Sequence, residues 1–180
     1  MSILDYLGSK KEAKNEKEQS GTETVRRIVR ELEALEPKAA RHLAAFSYIL
    51  SRVANADFDI SETETRKMEE IVQRFGGIPE EQAVLVVEIA KSRNRLFGGT
   101  EDFLVTREFK EIATQKQRRE LLDCLFAVSA ADDSISSAEE AQIWQIASEL
   151  DFDHADYVTA RSAYSSKREV LKSLKKPVPE

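Results

Sequence analysis

The sequence predicts an all-α single domain of about seven to eight helices built on a duplicated helix–turn–helix unit. Three observations carry that expectation. Apolar residues recur at helical spacing in every long segment, and alternating Val, Ile and Thr runs of the strand type are scarce. Charged residues make up 33% of the chain and aromatics 7%, a balance that suits amphipathic helices. One acidic turn also occurs twice, because Asp57, Ser61 and Glu64 are each matched 75 residues later by Asp132, Ser136 and Glu139 (132 − 57, 136 − 61 and 139 − 64). A length of 180 residues is enough for one domain with a substantial core.

Residues 1–21 read as a flexible tail, since the charged segment Lys10 to Gln19 is low in hydrophobicity. Residues 22–165 are expected to form the helical domain. Thr22 caps a first helix towards Glu36, with Val25, Ile28, Val29, Leu32 and Leu35 as its stripe. Pro37 breaks it and restarts a second helix, Lys38 to Ala56. A third runs from about Glu62 to Phe75 and stops at Gly76-Gly77. Pro79 opens a fourth, with Val84, Val87 and Ile89 apolar, that ends by Gly98-Gly99. Thr100 to Phe103 resembles a cap for a shorter helix to Ile112. Thr114 with Gln117 forms a capping box for a helix that ends at Asp132. The helix after Ser136 carries Ile143, Trp144, Ile146, Ala147 and Leu150, and Asp153 caps a last short one to Tyr164. Residues 166–180 form a basic tail whose Lys167, Arg168, Lys172, Lys175 and Lys176 are expected to lie in solvent.

The repeat units span about 46–75 and 121–150. Phe46 pairs with Leu121, Ile49 with Cys124, Leu50 with Leu125 and Val53 with Val128. Beyond the turn, Met68 pairs with Ile143, Ile71 with Ile146 and Phe75 with Leu150. Equivalent faces should therefore be buried, and a pseudo-symmetric pair is the simplest arrangement. Ser61 with Glu64, and Ser136 with Glu139, have the spacing of capping boxes. Asp57 and Asp132 fall near helix C-termini, where the dipole disfavours a carboxylate by roughly 0.3–1 kcal/mol. Turn N–H groups, a nearby basic residue or a bound cation would compensate. The candidate cation site is Asp57, Glu64, Asp132 and Glu139, with Asp59 and Asp133 on its rim. An EF-hand is excluded, because loop positions six and twelve would be Glu62 and Met68, or Ser137 and Ile143, instead of Gly and Glu.

The stretches Ala56 to Glu64 and Ala130 to Glu139 resemble the repeated signature of the TerB-like family, known from tellurite-resistance proteins and from membrane-anchored DnaJ-like co-chaperones. The segment Ile146 to Asp153 is similar to the family's closing helix and exit. The likeness covers about Arg41 to Tyr164. The family's glycine after each aspartate is replaced here by Phe58 and Asp133, and Asp151 stands at the exit glycine. Asp tolerates a left-handed backbone and Phe does so poorly. The resemblance implies an all-helical fold, acidic clusters that bind metal ions, and a role in stress response.

Other classes find little support. A net charge of −6 opposes bulk nucleic-acid binding. No apolar run approaches the roughly 18 residues of a membrane span, and Met1 to Gly8 lacks the pattern of a secretory signal. One cysteine, Cys124, cannot make an internal disulfide, so a cytoplasmic location is expected. His42 and His154 are lone histidines without ligand spacing, and Cys124 has no activating base nearby in sequence. The expectation is a non-catalytic module whose acidic turns bind Ca²⁺, Mg²⁺ or Mn²⁺, or a basic protein partner, membrane-associated partners included. A metal-free interaction scaffold and a metal-dependent hydrolase remain the alternatives.

Overall fold

A computed structural model describes residues 23–54, 61–92 and 102–174. Asp57, Asp59, the residue 1–21 tail, the Gly98-Gly99 stop and the last six residues lie outside them. Among the described residues every regular element is helical, apart from one isolated parallel bridge between Ile135 and Arg168. The helices are α1 (23–33), α2 (Pro37–Val53), α3 (Glu62–Gly76), α4 (Glu80–Lys91) and α5 (Asp102–Ile112). They continue with α6 (Gln115–Ser129), α7 (Ser137–Glu149), α8 (His154–Ser162) and α9 (Glu169–Leu174). Short 3₁₀ turns occupy Ala130–Asp132 and Ser165–Lys167. No described helix is long and apolar enough to cross a membrane.

Local chemistry sets several boundaries. Ser61, Thr114 and Ser136 each close a reciprocal capping box, with Glu64, Gln117 and Glu139 as partners. Asp153 caps α8 by accepting the Asp156 N–H at 2.8 Å. One end falls short of expectation: α2 stops at Val53, ahead of Ala56, where the chain turns small and polar. α4 ends at Lys91 with Ser92 as its C-cap. The left-handed residues among those described are Gly77, Asp133 and Asp151. The two aspartates stand where the family pattern has glycine, so the backbone turn survives the substitution.

The repeat controls the core. Phe46, Ile49, Leu50, Leu121, Cys124 and Leu125 are all inaccessible to solvent. α3 packs along α6 of the other copy, and α7 meets α2 and α6, while α4 and α5 cover α2. The copies are unequal: Ile143, Ile146 and Leu150 are buried, whereas their counterparts Met68, Ile71 and Phe75 are half-buried. α8 adds Tyr157 and Ala160 to the buried core beside the second copy. Two expected stripe residues, Val29 and Val84, are exposed instead, and Ile28 and Val86 take the core positions beside them.

Two buried ion pairs tie the helices together. The Arg52 guanidinium, 1% exposed, binds Glu149 through Nη1 at 2.8 Å and Nη2 at 3.3 Å. It also donates to Thr106 Oγ1 at 2.7 Å, which joins α2, α5 and α7. Arg168 forks onto Glu140 at 2.5 and 2.8 Å. The region read as a solvated basic tail is thus docked over Ser165–Leu174. Ile135 N–H donates to Lys167 O at 2.9 Å, and Glu169 N–H donates to Ile135 O at 3.1 Å. Lys167, Arg168 and Lys172 find carboxylates and carbonyls within the chain, which local sequence cannot reveal.

Candidate functional site

The C-terminal end of α2, the first half of α3 and the turn between α6 and α7 enclose a cleft of about 390 Å³. Repeat-equivalent residues line it in pairs: Val53 with Val128, Ala54 with Ser129, and Glu64 with Glu139. Asp132 completes the acidic lining, and Met68 and Ile71 supply an apolar wall. The structure therefore brings together three of the candidate acids, drawn from both copies. Asp57 and Asp59 lie outside the described residues. Asp133 does not line the cleft; it faces Lys167 on the other side of the turn. Among the described residues no three acids, histidines or cysteines converge closely enough to hold an ion by themselves.

Capping positions the two glutamates. Ser61 N–H and Oγ–H both donate to Glu64 Oε2 at 2.7 Å, while Glu64 N–H returns to Ser61 Oγ at 3.3 Å. Glu139 repeats this with Ser136 at 2.8, 2.7 and 3.2 Å. Capping and ligation are compatible, because no hydrogen bond from a described residue reaches Oε1 of either glutamate. The Ser61 hydroxyl and backbone bonds hold the Glu64 carboxyl below its ordinary range, with Lys67 adding to the effect.

Two residues that sequence reasoning passed over shape the cleft. Lys67 lies three residues after Glu64 on the same helical face and donates its ammonium to Ala131 O of the opposite turn. The repeat register was a usable signal, since the equivalent of Lys67 is the uncharged Gln142. Ser129, 5% exposed, replaces the first copy's Ala54. Its buried Oγ has no hydrogen-bond partner among the described residues, which is costly for a hydroxyl.

The outer side of the second turn is crowded with cations. Lys167 donates to Asp133 Oδ1, and Lys172 donates to Asp133 O. The Lys167 hydrogen bond and charge hold the Asp133 carboxyl below its ordinary range, helped by Lys67 and Lys172. Three ammonium groups thus meet the oxygens of the short turn Ala131–Asp133.

The two histidines and the cysteine lie outside the lining of the acidic cleft. A second cleft of about 410 Å³ lies near the other end of α2, with His42, Gln82, Gln117 and Glu120 in its wall. His42 packs 5.1 Å from the Phe109 ring, and its burial lowers the imidazole pKa against a smaller opposing effect of Glu120. His154 stacks edge-on to Trp144 at 5.4 Å. Cys124 is inaccessible to solvent; burial, with a smaller effect of Asp123, pushes its thiol pKa far above the ordinary value. The native protein is expected to resist Ellman's reagent and to react only as it unfolds. Rapid stoichiometric labelling in the absence of denaturant would contradict that burial.

A family model described as tellurite resistance protein TerB matches residues 42–162, more than half of the chain. The match runs from α2 to the end of α8 and leaves α1 and Ser165–Leu174 outside. No curated protein and no solved structure matches.

Proposed function

Because the chain belongs to the TerB family, we propose that it is a non-catalytic module of tellurite or stress response whose paired acidic turns bind a divalent cation. The observation that carries this is the shared cleft: Glu64 and Glu139, equivalent in the repeat, line one cavity together with Asp132. Carboxylates and turn carbonyls are hard oxygen donors, suited to Ca²⁺, Mg²⁺ or Mn²⁺ in preference to Zn²⁺. Asp57, from the first turn, would complete the set. The hydrolase alternative needs a carboxyl tuned towards neutrality, whereas Ser61 tunes Glu64 the other way.

The test is calorimetric titration with each cation, with Trp144 fluorescence read in parallel. Glu64→Gln/Glu139→Gln is the informative variant. Glutamine still serves at the third position of a capping box, so the helices keep their starts while the cleft loses two charges. The expected result is saturable binding to the native chain below about 1 mM. Affinity should fall at least tenfold in the variant, with its ion-free thermal midpoint unchanged. No heat at millimolar ion would leave these acids as caps and turn residues only. A basic protein surface is the second reading, favoured by the three ammonium groups that the second turn already accepts from Lys67, Lys167 and Lys172.

A further inference from the structure

We propose that the outer side of the α6–α7 turn, with Glu140, is a docking site for an extended, arginine-bearing segment of a partner protein, and that Ser165–Leu174 occupies it as an intramolecular stand-in. The inference does not depend on the cation reading, because Asp133, Ile135 and Glu140 do not line the cleft. It rests on the basic-partner reading, to which it gives a place and a mode of recognition.

The recognised unit is three residues long. Ile135 N–H donates to Lys167 O at 2.9 Å, and Glu169 N–H donates to Ile135 O at 3.1 Å. These bonds make one parallel bridge, so the turn reads extended backbone as a sheet edge does. Between them Arg168 forks onto Glu140 at 2.5 and 2.8 Å. A planar fork on a carboxylate selects arginine over lysine. On either side Lys167 donates to Asp133 Oδ1, and Ser134 Oγ donates to Glu169 Oε1 at 2.9 Å. Two backbone bonds and one fork thus specify an extended segment with an arginine at its centre.

Site and occupant belong to different parts of the chain. Ile135 and Glu140 fall within the matched span 42–162, and Ser165–Leu174 follows it. The occupant is held unevenly. Arg168 and Glu140 form a nearly buried pair, whereas the clasp of Lys167 on Asp133 is exposed, with the Asp133 side chain 83% accessible. An exposed ion pair is weak and screened by salt. α9 has six residues, too few to persist as a helix without its contacts. A competing segment therefore displaces α9 and the clasp first and Arg168 last. A net charge of −6 opposes association with a second copy of this chain and favours a basic partner.

The probe is a synthetic peptide with the sequence of residues 163–174, titrated in the presence of EDTA into the full native chain and into full-length Arg168→Ala. Calorimetry reads affinity, and hydrogen exchange of the protein reads the site. In the native chain the attached segment competes at an effective concentration in the millimolar range, so Arg168→Ala should bind the peptide roughly tenfold more tightly. The peptide should also restore protection to the Ile135 amide of that variant. In the native chain, saturating peptide should speed exchange at residues 169–174 while the Ile135 amide stays protected, a result that carries the test even if the variant fails to fold. The same peptide bearing Arg168→Ala should bind at least tenfold more weakly. Equal binding of the two peptides would show general charge attraction; it would overturn the arginine site and leave a basic partner supported. No binding of either peptide to either chain would overturn the site and the basic-partner reading together. The cation reading is decided separately, by its own titration.

Discussion

Arg52→Ala is expected to lower the unfolding free energy by about 3–5 kcal/mol, the range for removing one partner of a buried ion pair. The guanidinium is held on several sides. Glu149 takes two bonds, Thr106 takes one, and Asp102 lies 3.5 Å from Nε. The Gln142 amide stands 3.1 and 3.2 Å from Nη2 and Nε and accepts from both when its oxygen is turned towards them. Without Arg52, the Glu149 carboxylate keeps only neutral partners, Thr106 and Gln145, and stays mostly buried. A lysine cannot reproduce the fork, so Arg52→Lys should recover only part of the loss. Arg52→Met/Glu149→Met should recover most of it, because an apolar replacement removes the stranded charge as well. Urea denaturation with linear extrapolation measures all three. An Arg52→Ala loss below about 1 kcal/mol would mean that the pair is solvated or rearranged.

The same pair sets a pH dependence. Burial pushes the Glu149 carboxyl up, but the bonds and charge of Arg52, with the bonds of Thr106 and Gln145, together outweigh it, and the net position is below the ordinary 4.5. A carboxyl whose folded pKa is depressed stabilises fully above the unfolded value. That stability is lost as pH falls from 4.5 through the folded value. The acid limb of the stability curve should therefore be shallower in Arg52→Ala than in the native chain.

What was legible in the sequence was local. A serine and a glutamate three residues apart define a cap wherever they occur, so the starts of α3 and α7 could be read directly. The constant offset of the repeat identified buried partners such as Leu50 and Leu125, because equivalent helices must hide equivalent faces. The left-handed Asp133 and Asp151 followed from the positions of the family's glycines. Long-range pairing was not legible. Arg52 looks like any helical arginine until Thr106, Gln142 and Glu149 are folded around it. The cleft was half legible: symmetry put Glu64 and Glu139 in one set, but nothing local showed Lys67 crossing to Ala131. The basic segment after Tyr164 looked solvated because its partners, Asp133 and Glu140, stand roughly thirty residues earlier.

Arg168→Ala is expected to cost about 2–3 kcal/mol, less than Arg52→Ala. Its pair with Glu140 is nearly buried, yet Arg161 remains 3.9 Å from the stranded carboxylate and compensates in part. The substitution should also undo a boundary. Arg168 holds the chain against Ile135, whose N–H and carbonyl bond Lys167 and Glu169. With the anchor gone, the Ile135 amide should lose its protection from hydrogen exchange along with residues 169–174. Lys167→Gln/Lys172→Gln offers the contrast, because exposed ion pairs contribute little to global stability. It should loosen residues 169–174 while leaving the Ile135 amide and the urea midpoint almost unchanged. Arg168→Lys should fall between the two, since it keeps the charge and loses the fork. If the lysine pair proved as destabilising as Arg168→Ala, the clasp on Asp133 would be part of the folding core.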